Sequence, residues 1–190
     1  MGTLMAEDRK PSTDIQQLKS IEEVDLQDLC DATEAAILDG NGFGWLTVPR
    51  RAVMESYWKG VVLMPEREVF VAWLDGHIVG SIQLLRPSRH NHAQGHIARL
   101  TTFFIAPHAR GLGLARGLLQ MAEDVARQDG FEQIDLDVRA TQVAAIQIYE
   151  QGGFTRWGVR ENYALVGEDY VTGYFYTKEL AHRRKAGANK

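Results

Sequence analysis

Apolar residues recur along this chain with two periods, and the changes of period mark its elements. "IQQLKSI" (15–21) reads as a first strand. Over "VDLQDLCDATEAAILDG", Val24, Leu26, Leu29, Ala32, Ala36 and Ile37 fall at helical spacing, and Gly40 is the stop. "PRRAVMESYWKGVVL" predicts a second helix bounded by Pro49 and Pro65. Alternation returns in "EVFVAWLDG" and "HIVGSIQLLRP", joined by the turn dipeptide Asp75-Gly76. After the polar loop "PSRHNHAQG" comes a long strand, "HIARLTTFFIAP", stopped by Pro107. Residues 111–129 read as a helix on the apolar stripe Leu114, Leu118, Met121, Ala122 and Val125, with Gly130 as its cap. "FEQIDLDVRA" is a buried strand, and "TQVAAIQIYEQG" a short helix ending in a glycine pair. "FTRWGVRENYALV" and "DYVTGYFYTKEL" close the chain as strands. The resulting order is irregular and excludes a doubly wound βαβ fold; the class is mixed α/β (α+β).

Composition adds limits. At 190 residues the expectation is one domain, 14–181, with a polar lead-in (1–13) and a basic tail (182–190). The apolar fraction of 45% and charged fraction of 24% suit an ordinary water-soluble domain. A net charge of −4 gives no basic field for nucleic acid, so no nucleic-acid partner is expected. No apolar run approaches a membrane span, and no secretory leader is read at the N-terminus. The expectation is a cytoplasmic protein without a membrane partner. The single cysteine, Cys30, rules out an internal disulfide framework. Charge is uneven: residues 76–122 hold no acid but contain Arg86, Arg89, Arg99, Arg110 and Arg116. That window is either solvated sheet and loop or an anion-binding face.

The start of the 111–129 helix is the informative anomaly. Gly111 and Gly113 each cost a helix roughly 1 kcal/mol relative to alanine. Strand, then "ARGLGLA", then helix is the layout of a phosphate cradle, because a helix N-terminus offers unpaired amides and glycines admit close approach. The rival phosphate motifs fail: no GK[ST] follows, and Arg116 stands where a dinucleotide fingerprint needs its third glycine. A bland structural cap remains the alternative reading.

Arg110-Gly111-Leu112-Gly113-Leu114-Ala115 resembles the R/Q-x-x-G-x-G/A signature of the GNAT superfamily of acyl-CoA-dependent N-acetyltransferases. "LDVRATQVAAIQIYEQGGF" is similar to that family's second signature, in the same order and spacing. The resemblance implies a mostly antiparallel sheet of six to seven strands with four helices, whose two central parallel strands splay to admit acetyl-CoA. It implies that Phe103, Phe104 and Ile105 pair with the pantetheine arm, and that amides from Gly111 through Leu112, Gly113, Leu114 and Ala115 to Arg116 hold the pyrophosphate. Arg110 and Arg116 add charge, or Arg110 braces the loop. Tyr149 matches the family's general acid toward the leaving thiolate; its alternative is a core tyrosine. Gln142 stands where the family commonly has asparagine.

Many relatives carry a glutamate base on the long strand, where this chain has Arg99. Asp137, with Asp135 on its face, is the substitute expected as base; a plain ion pair with Arg139 is the alternative. His96 and a water chain are further candidates. His90, His92 and His96 lie in a polar loop without cysteine or acid, so no metal is expected. A bulge at Thr101–Thr102 would produce the family's splay, although ordinary strand propensity accounts for those residues too.

The acceptor site implied by the family draws on the first two helices and the last strands. Phe43, Trp45, Tyr57, Trp58, Trp157, Tyr163 and Tyr170 would form an aromatic wall, or simply pack. Glu34, Asp39, Glu55, Glu161, Glu168 and Asp169 would hold a cation. The "GNGFGW" loop loosely resembles bacterial enzymes that detoxify amine antibiotics and toxins. The expected partner is a small-molecule amine, acetylated by direct attack. A protein or peptide acceptor, and an acyl-CoA-binding module without turnover, are the alternatives. A homodimer, common in the family, is an expectation of the resemblance alone.

Overall fold

The apolar runs fold into seven strands and four helices. The computed structural model describes residues 10–40 and 44–180, so Phe43 and the basic tail lie outside the described residues. In chain order the elements are β1 (Thr13–Leu18), α1 (Glu23–Leu38), α2 (Arg51–Val62), β2 (Arg67–Leu74), β3 (His77–Leu85) and β4 (Ile97–Ile105). There follow α3 (Leu114–Gln128), β5 (Gln133–Arg139), α4 (Val143–Gln151), β6 (Thr155–Val166) and β7 (Asp169–Glu179). One sheet runs β1-β2-β3-β4-β5-β7-β6. Every neighbouring pair is antiparallel except β4–β5. This is the mixed, mostly antiparallel architecture that the sequence resemblance implied.

β2 and β3 are buried almost continuously, as strands covered on both faces must be. α1 and α2 cover one face, and α3 the other; Gly117 of α3 lies so close to β1 that a Cβ would stand 2.9 Å from Ile15. The Asp75-Gly76 turn has positive φ at both residues (49° and 87°), the backbone that twists two strands into a hairpin. β1 starts two residues before the apolar alternation, inside the stretch read as lead-in, because Thr13 still finds a partner in Leu74.

Two features open the sheet at its centre. β4 and β5 pair over three residues only, Ile97–Arg99 against Gln133–Asp135. Beyond them, Thr102 and Phe103 of β4 together oppose Ile82 of β3, a bulge in which Thr102 takes φ 52°. The bulge turns β4 away from β5, so the expected splay is there. The 111–129 helix needs correction. α3 begins at Leu114, and Gly111 and Gly113 stand outside it with φ near +80° (80° and 81°). They take no helical geometry, so the helix penalty never arises; they are there because a left-handed backbone excludes most side chains.

Candidate active site

A cavity of about 620 Å³ lies where the end of β4 parts from α4, at the mouth of the gap between β4 and β5. Its walls are Phe103, Phe104 and Ile105 from β4, the turn before α3, and the first turn of α4. Two helix N-termini therefore face one space. α3 has no side-chain cap, and the first amide to return to it is Gly117 N–H, bonded to Gly113 O at 3.1 Å. The amides before it are left for a ligand. The charged side chains lining the cavity are Asp39, Arg110 and Arg116. Arg110 donates to Asp39 Oδ2 at 2.6 Å, so it braces the turn against the end of α1. Arg116 donates to Gln151 of α4. The amides, the local excess of positive charge and the glycine turn suit a pyrophosphate.

A second cavity, of about 750 Å³, lies on the α2 side of the same gap. Phe103, Gln142 and Ala145 line both, so the two spaces meet there. Trp45 and Tyr57 form one wall, with ring centroids 5.1 Å apart. Tyr149, Asp137 and Tyr163 form the other. Tyr149 is seated by its sequence context. Gly153 (φ 86°) ends α4, and Phe154 N–H turns back to Tyr149 O at 3.0 Å. Phe154 then packs on the Tyr149 ring, as do Phe103 and Tyr176. Burial, with the Asp137 charge nearby, pushes the Tyr149 phenol well above its ordinary value.

Asp137 is held from two sides. Arg99 Nη2 donates to its Oδ1 at 2.6 Å, and the Tyr163 hydroxyl donates to its Oδ2. The ion pair expected with Arg139 is instead with Arg99, which shares a sheet face with Asp137 across the β4–β5 rungs. Burial and the carboxylate push Tyr163 up to about 12, so it remains a donor. Its ring reaches Asp137 by lying over Gly173 of β7, where a Cβ would stand 2.1 Å from Tyr163 Cγ. A buried chain supports the far wall. Arg67 donates to Gln83 Oε1 (2.6 Å), and Gln83 Nε2 donates to Tyr57 Oη (3.2 Å), which sits 3.4 Å from Thr102 Oγ1.

The match to known proteins agrees with this geometry. The model of the Acetyltransferase (GNAT) family matches residues 30–154. This chain belongs to the GNAT acetyltransferase family. An uncharacterised N-acetyltransferase from the hisH–hisA intergenic region of Azospirillum brasilense is 52% identical over 128 residues, covering 67% of this chain and 76% of that one. The yncA structure from Salmonella typhimurium, solved with its cofactor acetyl-CoA, superposes with a TM-score of 0.73 at 16% identity, over 93% of this chain and 99% of that one. A ribosomal-protein-alanine N-acetyltransferase from Brucella melitensis does so with a TM-score of 0.73 at 22% identity, over 87% and 99%. The chain is thus an N-acetyltransferase of that family.

Within the GNAT frame, most residues expected from sequence meet at the gap. Phe103 to Ile105, Arg110, Gly111, Gly113 to Arg116 and Gln142 line the 620 Å³ cavity. Leu112 does not; it is exposed, and only its backbone belongs to the turn. His96 is a correction: it sits exposed at the opposite end of β4, roughly 20 Å from Thr102 at strand rise. The expected wall also changes. Trp58 is in the core, donating to Thr33 Oγ1 at 3.1 Å. Trp157 and Tyr170 are exposed, outside the 750 Å³ cavity. None of the six acids proposed for a cation lines that cavity; Asp39 pairs with Arg110, and Glu55 lies 3.7 Å from Arg51. Asp137 is the carboxylate there. The Arg99–Asp137–Tyr163 cluster was not read from sequence, since it joins three strands. Among the described residues no three His, Cys, Asp or Glu side chains gather as a metal site, and no helix is long and apolar enough to cross a membrane.

Proposed function

We propose that this enzyme moves the acetyl group of acetyl-CoA to a primary amine of a small molecule by direct attack. The meeting of the two cavities at Phe103, Gln142 and Ala145 carries the reading, because backbone donors line one side and Tyr149 and Asp137 the other. Acetyl-CoA supplies an activated thioester. The Gly111–Arg116 amides hold its pyrophosphate, and β4 residues 103–105 align its arm. Asp137 takes a proton from the acceptor ammonium, leaving the amine lone pair free to attack. Tyr149 holds a proton for the departing sulfur. A phenol pushed up by burial gives that proton only as the C–S bond breaks, when the sulfur, desolvated in the same apolar gap, is itself more basic. Cys30 offers no covalent route: it is on the buried face of α1, and burial pushes its thiol up to about 11.

A second reading is favoured by the sheet surface beyond Asp137. There a separate cavity of about 450 Å³, lined by Arg99, Trp157 and Phe175, lies across the Arg99–Asp137 pair and offers room for more of an extended chain. The Brucella melitensis fold neighbour, whose name specifies a ribosomal-protein alanine, is consistent with that use. The test is acetyl-CoA-dependent thiol release across small amines and peptides, with Tyr149→Phe and Asp137→Asn in parallel. We expect release with a small-amine class, reduced about 10²-fold or more by Asp137→Asn. Release with peptides alone would replace the acceptor, and cofactor binding without release from any amine would overturn the enzyme reading.

A further inference from the structure

Arg99 and Asp137 stand on the ridge between two cavities. Asp137 lines the acceptor cavity, and Arg99 lines the one beyond it. Their 2.6 Å ion pair joins a carboxylate whose side chain is 25% exposed to a guanidinium that is 58% exposed. Arg99 has five N–H donors, and only Nη2 is engaged, by Asp137. The other charges lining its own cavity, Arg86 and Asp135, are engaged. Arg86 pairs with Glu68 and Asp129. Asp135 Oδ1 accepts from Gln133 Nε2 and Thr177 Oγ1, each at 2.7 Å. Arg139 is a second cation lining the acceptor cavity, and Arg99 is the one bonded to the proposed base, with donors to spare.

From this we infer that the acceptor is a free amino acid, whose ammonium replaces Arg99 at Asp137 while its carboxylate takes the Arg99 fork. The inference rests on the small-amine reading above and names its substrate class. The exchange is balanced: each protein charge loses one partner and gains an equivalent one, so no charge is stranded. The existing pair is half-exposed and weak, so a ligand carrying both charges opens it at little cost. A guanidinium binds a carboxylate through two parallel N–H···O bonds, where it now spends one nitrogen on Asp137. A simple amine offers only half of this exchange, and leaves Arg99 to water. The exchange also releases Asp137 Oδ1 from Arg99 at the moment the ammonium arrives, which couples base and substrate. Tyr163 stays on Oδ2 and keeps the carboxylate aimed.

The test uses matched acceptors: phenylalanine, phenylalaninamide and phenethylamine; tyrosine and tyramine; lysine and cadaverine. For each, kcat/KM is measured by thiol release, and binding by calorimetry on the CoA-loaded protein. We expect the acid to exceed its decarboxylated partner by about tenfold in at least one set. Arg99→Gln should collapse that ratio to near one, and Arg99→Lys, which keeps the charge but not the fork, should restore part of it. Parity between acid and amine in every set, by rate and by binding, overturns the inference. Parity between phenylalanine and phenylalaninamide also overturns it, pointing to a carbonyl and hence a peptide. Transfer without preference leaves the small-amine function standing and sinks the amino-acid claim. Preference in binding without transfer supports the Arg99 fork and sinks the transfer reading.

Discussion

The two halves of the gap are built from different materials. The cofactor half is made of backbone: uncapped amides at α3 and α4, a glycine turn at φ near +80° (80° and 81°), and strand residues 103–105. The acceptor half is made of side chains held by other side chains, from Arg67 through Gln83 to Tyr57, and from Arg99 and Tyr163 to Asp137. Backbone geometry tolerates almost any side chain but few changes of conformation. Side-chain geometry tolerates conformational adjustment but not loss of a partner. A ligand common to a whole family is met by the first, and a ligand particular to one member by the second.

Substitutions should therefore separate the halves. The largest effect is expected from Gly113→Val. A β-branched residue at φ 81° is strained by about 1–2 kcal/mol and misdirects the cradle. Calorimetry should show acetyl-CoA affinity falling about 30-fold or more; a change under threefold would break the backbone half of the contrast. Gly173→Ala is the counterpart. Its Cβ would stand 2.1 Å from the Tyr163 ring, forcing that ring off Asp137. The acceptor KM should rise about tenfold, at a stability cost of about 1–3 kcal/mol, with acetyl-CoA affinity changed less than twofold. If cofactor affinity falls equally, the halves are not independent. Arg110→Ala removes a brace at the half-exposed pair with Asp39, so a loss of only about threefold in cofactor affinity is expected by titration.

The smallest effect is on stability at alkaline pH. Tyr163 and Tyr176 are each raised to about 12 in the folded protein, against about 10 unfolded. A raised folded value favours the native state while the unfolded phenol is still protonated. The contribution is complete below pH about 10 and is lost as pH climbs toward about 12. Chemical denaturation at steps between pH 9 and about 12 should show flat stability and then a decline, and Tyr163→Phe should soften that decline.

Much of this was legible in the sequence because the relevant physics is local. Alternation, the Asp75-Gly76 turn and the glycine that ends α4 act over a few residues, and so does the glycine pair before α3. Gly111 and Gly113 are visible in the sequence as a cradle, but composition does not distinguish a left-handed turn from a first helical turn. The acceptor half was less legible. Strand position points to Asp137, and offers Arg139, two residues along, only as an alternative ion-pair partner. The actual partner lies on β4, and Tyr163 arrives from β6 across β7. The acids named for a cation are near in sequence to the right elements, yet none lines the acceptor side of the gap, and Asp39 lines the other side.

The three-rung contact between β4 and β5 has a mechanical consequence. It divides the sheet into two plates, β1–β4 and β5–β7, sharing a short welded edge. The Glu123–Lys178 pair, 2.6 Å from α3 to β7, is a cross-tie between them. A molecule lying in the gap touches both plates, so its affinity is also cohesion for the whole domain. Without it, amides bordering the weld are the ones expected to open first to hydrogen exchange, and filling the gap should quiet them on both sides together.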